Sequence, residues 1–135
     1  MTGLKFDEMN RWRKLLKEKL YSAAEMLNCK IQVINPVEFY NYEEKRHQSE
    51  NEIEDYDLAH VISSDIIIVN LEGLNSSDGT KIEIHDANYH KKIPVIAFGN
   101  RKLYENLHPW VKRDITRVEE SIDEVVEYIQ EFYMI

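Results

Sequence analysis

The sequence has a single cysteine, Cys29, so neither an internal disulfide nor a cysteine-based zinc site can form, and a reducing, cytoplasmic setting is expected. No apolar stretch approaches the ~20 residues that cross a bilayer, and Met1-Thr2-Gly3-Leu4 leads into charge rather than into a signal-peptide core. Membrane insertion and a membrane partner are therefore not expected. Positive charge is also scarce: 17 basic against 25 acidic side chains leave a formal net charge of −8, a field that repels the phosphates a nucleic-acid binder must neutralise. The most basic stretches, Arg11 to Lys19 and Lys91-Lys92, fall on predicted helices among acidic neighbours and read as solvated faces. Repeats and low-complexity tracts are missing too.

What is present suits one globular domain spanning residues 1–135, with 43% hydrophobic and 31% charged residues. Phe6, Met9, Trp12, Leu16, Leu20, Ala23 and Leu27 recur at helical steps, starting from Asp7 or Asn10. Ile31 to Ile34 reads as a short strand stopped by Asn35-Pro36. Glu38 to Asn51 has no apolar period and reads as a long loop or irregular helix, the kind of segment that forms lids. Ile53, Tyr56, Asp57, His60 and Val61 share one face of a second helix that ends at Ser63-Ser64.

Asp65 to Leu71 is the strongest signal, a nearly continuous β-branched run of the kind a strand covered on both faces requires. A flexible polar loop, Glu72 to Gly79, then leads into a helix over Thr80 to Lys91. A third strand over Ile93 to Phe98 tolerates Pro94 at its start, Ile115 to Val118 suits a short edge strand, and Ser121 with Glu124 opens a terminal helix whose Ile122, Val125, Ile129 and Phe132 face the core. Strands alternating with helices predict an α/β fold, a doubly wound, Rossmann- or flavodoxin-like, mostly parallel sheet of about three to five strands flanked by helices.

In such a sheet ligands sit outside the carboxyl ends of the strands, which here nominates Asn35 to Tyr42, Asn70 to Glu83 and Phe98 to Trp110. The middle segment is richest, because a loop ending at Thr80 leaves helix N-terminal N–H groups facing the crevice. Glu83, placed in the first turn of that helix, either complements the helix start or serves as an ionised nucleophile beside a sugar. Tyr40 and Tyr42 either touch ligand or close the core, His60 is a surface or satisfied core histidine, and His108 with Trp110 either flanks a base or plugs the packing. His85 and His90 are five apart and Asp86 with His90 four apart, with no third ligand evident, so neither a metal nor a cofactor is expected.

Asp57-Leu58, Ser64-Asp65 running into a hydrophobic strand, Asp78-Gly79-Thr80-Lys81-Ile82-Glu83, and Ile93-Pro94-Val95-Ile96 together resemble the nucleoside 2-deoxyribosyltransferases over roughly Ile31 to Phe98. The resemblance implies that Glu83 is the nucleophile that attacks C1′ of a deoxyribose, with Asp57 assisting protonation and orientation of the base. Ser77, Asp78, Gly79, Thr80, Asn70, Tyr40 and Trp110 are the substrate-binding candidates, Ser77 standing where the family has its turn aspartate. Transfer to a second base or hydrolysis by water would follow on a deoxynucleoside or deoxynucleoside monophosphate. A sensor or sponge that binds a nucleotide-derived ligand without turnover is the alternative. The family opens with a strand and loop of the type K-I-Y-L-A-G-P, and Met1 to Leu4 resembles the tail of that loop. The first strand is thus expected to be lacking, with the exposed edges closed directly or covered by a neighbour in a homo-oligomer.

Overall fold

The structure is a computed structural model that describes residues 3–35 and 49–134. The chain divides into two compact units, Met1–Tyr40 with Ile122–Ile135, and Asn41–Ser121.

In the first unit, helix α1 (Gly3–Met26) packs on helix α6 (Ile122–Phe132). Leu16, Leu20, Ala23 and Ala24 are buried on α1, as are Val125 and Ile129 on α6, each set at the three- and four-residue steps that make one apolar stripe. Lys19 Nζ meets Asp123 Oδ1 at 2.7 Å. The helix begins earlier than Asp7, and Asn10 is not its cap: it is buried within it and accepts a 3.0 Å hydrogen bond from the equally buried Asn35 amide. Phe132, expected in the core, is 57% exposed at the last turn of α6.

The predicted strand Ile31 to Ile34 does not form a ladder among the described residues. The N–H of Val33 donates instead to the Tyr21 hydroxyl at 3.0 Å. That bond and the Asn35–Asn10 pair fasten the segment to α1, and β propensity yields to these tertiary contacts.

The second unit is an α/β sheet of three parallel strands in the order β1 (Ile67–Asn70), β2 (Val95–Phe98), β3 (Arg117–Glu119). Register runs Ile67 opposite Val95 to Asn70 opposite Phe98, then Ile96 opposite Arg117 to Phe98 opposite Glu119. Every residue of β2 is buried, as a strand covered on both faces must be, and the apolar runs seen in the sequence reflect this. Helix α2 (Glu50–Ile62) precedes β1 and packs on α3 (Asp78–His85), the crossover helix between β1 and β2. Ser49 caps α2, its Oγ accepting from Glu52 N–H at 3.2 Å, so α2 begins inside the stretch read as loop or irregular helix, whose residues 38–48 lie outside those described. Its far end closes as expected, with both Ser63 and Ser64 hydroxyls donating to the His60 carbonyl at 2.9 Å. Two short helices, α4 (Arg101–Glu105) and α5 (Pro109–Lys112), join β2 to β3.

The core of this unit gathers Val69 of β1, Val95 and Ala97 of β2, Ile84 of α3, Leu107 and Ile115, together with Leu71 and Leu74 from the β1–α3 connection. That connection was expected to be a flexible polar loop. Two leucines that are each 2% exposed anchor it instead. Gly99, at φ +140°, closes β2 against it: a Cβ there would lie 3.1 Å from the Leu71 Cβ. Gly99→Ala is expected to lower stability by about 1–3 kcal/mol through backbone strain and overpacking, read as a lower urea midpoint with an unchanged slope.

Candidate functional site

At the carboxyl end of β1 the chain turns on its own polar groups. Asn70 Oδ1 accepts from the Glu72 N–H at 3.0 Å, Gly73 takes φ +84°, and Leu74–Ser76 form one 3₁₀ turn. Ser77 then caps α3, its Oγ accepting from the Thr80 N–H at 3.4 Å and lying 2.8 Å from the Thr80 hydroxyl. Lys81 reaches back to donate to the Asn75 carbonyl at 2.6 Å and lies 3.8 Å from Asp78, whose side chain is 95% exposed.

Five expected substrate-binding residues, Asn70, Ser77, Asp78, Gly79 and Thr80, are thus brought into one connection. Their placement also defines local duties. Asn70 builds the turn, Ser77 and Thr80 cap the helix, and Asp78 is the acidic residue of the first turn, where the helix dipole favours it. Around Gly79 there is open space where a side chain would be.

Glu83 is not in the first turn. The helix starts at Asp78, two residues before Thr80, which makes Glu83 its sixth residue and removes the dipole argument for its ionisation. Glu83 on α3 and Asp57 on α2 are both half-buried, on helices that pack together. Tyr40 and Tyr42 lie outside the described residues. Trp110 belongs to another connection, on α5, where its backbone N–H donates to His108 Nδ1 at 3.1 Å. At 71% exposed, with the His108 ring edge-on at 5.4 Å, Trp110 is not a packing plug. His60 is a half-buried helix residue lying edge-on to Tyr56 at 4.6 Å.

Sequence reasoning missed one tight pair altogether. His85 Nδ1 lies 3.0 Å from Asp114 Oδ2, and the Asp114 side chain is only 5% exposed. The two residues are 29 apart, so no local spacing could announce them. His85 also stacks on Tyr89, with centroids 5.1 Å apart and planes 13° from parallel, and sits edge-on to His90 at 5.4 Å. The expected His90–Asp86 pair does meet, at 3.9 Å. Among the described residues no group of three or more His, Cys, Asp or Glu side chains converges to hold a metal, and no helix is long and apolar enough to cross a membrane.

Two substitutions test the local duties of Ser77 and Gly79. Ser77→Ala should cost about 0.5–2 kcal/mol of stability by removing the cap. Gly79→Ala should leave stability unchanged or raise it by about 0.4–1 kcal/mol, because the site is helical and open. Denaturation curves of the two variants check both.

No family model and no curated protein matches this chain. Among solved structures it is similar to a conserved protein from Enterococcus faecalis V583, at 21% identity and a TM-score of 0.70, over 90% of this chain and 88% of that one, a likeness that establishes the shared fold.

Proposed function

We propose that this chain acts on the N-glycosidic bond of a deoxynucleoside or deoxynucleoside monophosphate. In this reading Glu83 attacks C1′ to give a covalent glycosyl-enzyme, and Asp57 assists protonation and orientation of the departing base. A second base completes transfer; water completes hydrolysis. Such chemistry needs two carboxylates with divided duties, one ionised and one handling a proton. The observation that carries the reading is that Glu83 and Asp57 are both half-buried on packed helices, α3 and α2, of one α/β unit, with α3 opening at the carboxyl end of β1. The open space at Gly79 adds a place where backbone can approach a ligand. A cytoplasmic protein fits the lone cysteine. A homo-oligomer fits β1, which has β2 on one side and no strand partner on the other among the described residues.

A second reading, a nucleotide-binding module without turnover, is favoured by one specific feature. Asn70, Ser77, Thr80 and Lys81 already have partners within the connection, so fewer groups are left to grip a reacting sugar. Chromatography of mixtures with each deoxynucleoside or deoxynucleotide, with and without an acceptor base, separates the two. The enzyme reading expects free base or exchanged nucleoside, abolished in Glu83→Ala and Glu83→Gln and reduced about 10²–10⁴-fold in Asp57→Asn. Full activity in Glu83→Ala eliminates it; tight binding with no product after long incubation selects the module.

A further inference from the structure

His85 and Asp114 lie at the other end of the strands from the β1–α3 connection. His85 ends α3, the crossover that carries the chain back toward the start of β2, and Asp114 stands just ahead of β3. The helix widens immediately after His85 into a π turn over Asp86–His90. On a regular helix His85 and His90 would point roughly 140° apart. Here their rings are 5.4 Å apart, with Tyr89 against both at 5.1 Å. Such turns recur at functional sites.

Asp114 is buried, yet only Oδ2 has a partner, His85; its Oδ1 has no hydrogen-bond partner among the described residues. A buried carboxylate half-satisfied in this way is poorly explained by stability alone. It is explained by what it does to the imidazole. An acceptor on Nδ1 fixes the proton there and leaves the lone pair on Nε2, on a side chain that is 41% exposed. The surroundings select the partner. Lys92 Nζ lies 5.6 Å and Arg113 Cζ 5.8 Å from the Tyr89 ring centre, so two exposed cations border the ring on which His85 stacks, in a protein of net charge −8. They favour an anionic electrophile over a metal ion.

We propose that His85 is a nucleophilic histidine that accepts a phosphoryl group from a small acyl phosphate or phosphoramidate. The Nε2 lone pair forms the P–N bond as the P–O bond to the acyl group breaks and a carboxylate leaves; from phosphoramidate, the P–N bond breaks and ammonia leaves. The Nδ1 proton stays in place, and the ring's new positive charge is met by the Asp114 carboxylate. Lys92 and Arg113, which border the neighbouring Tyr89 ring, supply positive charge to the surroundings of a phosphoryl group held there. The chemistry on His85 does not call on Glu83 or Asp57, although Glu83 lies two residues before it on α3.

The test incubates the whole chain with acetyl phosphate or with phosphoramidate and maps the modified peptides at neutral pH. The expected result is an acid-labile phosphoryl group on His85, acquired faster than on the exposed His108 or on His90. Asp114→Asn should slow it on the order of tenfold or more, His90→Gln should not, and His85→Gln should abolish it. If Asp114→Asn fails to fold, the comparison of His85 with His108 in the unaltered chain still decides. Absence of label on His85, or labelling at the rate of His108, overturns the proposal.

Discussion

The α/β unit depends on one constraint, that β2 has no surface. Val95, Ile96 and Ala97 are fully buried, so every polar group of that backbone must find a partner inside the protein. Along most of its length β1 and β3 supply them. At its beginning they do not suffice, because the β3 ladder starts only where Arg117 meets Ile96. Thr116 fills the gap: its hydroxyl accepts from Val95 N–H at 3.0 Å, and its own N–H donates to the Val95 carbonyl at 2.8 Å. Asn88, inside the π turn, donates to both the Thr116 hydroxyl and the Ile93 carbonyl. The widened helix end, the start of β2 and the approach to β3 are thereby tied through one threonine, and the His85–Asp114 pair stands beside that knot.

This architecture was legible where burial wrote itself into composition. The β-branched run ending at Leu71 and the run ending at Phe98 contain β1 and β2: β2, enclosed on both faces, carries no polar residue, and β1 carries one only at its end, Asn70. Arg117–Glu119 was found within two residues of its place, although with little apolar signal. Ile31 to Ile34 misled, since its composition suits a strand while its hydrogen bonds go to α1. The start of α3 misled by two residues, because Ser77 and Thr80 look alike as caps until the hydroxyl of one is seen to serve the other.

The candidate site was legible as a segment and not as a set of duties. A turn rich in Asn, Ser, Asp and Gly beyond a buried strand marks a loop where ligands bind, and also a loop that bonds to itself. Leu74 stands among polar residues that gave no sign of its burial, yet with Leu71, the last residue of the apolar run, it holds this connection to the core. A ligand meeting such a segment pays little to order it, so recognition there rests on fit rather than on folding around the guest. The His85–Asp114 pair was invisible for a different reason, because only the return of the chain across the sheet brings residues so distant in sequence together.

The near-contact between position 99 and the Leu71 side chain has a consequence for descent. Two loops at neighbouring strand ends share one small volume, and neither can grow alone. Lineages that drift from this sequence would be free to change the polar rim of the connection residue by residue, whereas position 99 would stay glycine, because its backbone angle strains any side chain and the Cβ it would meet at 71 is carried by every residue but glycine.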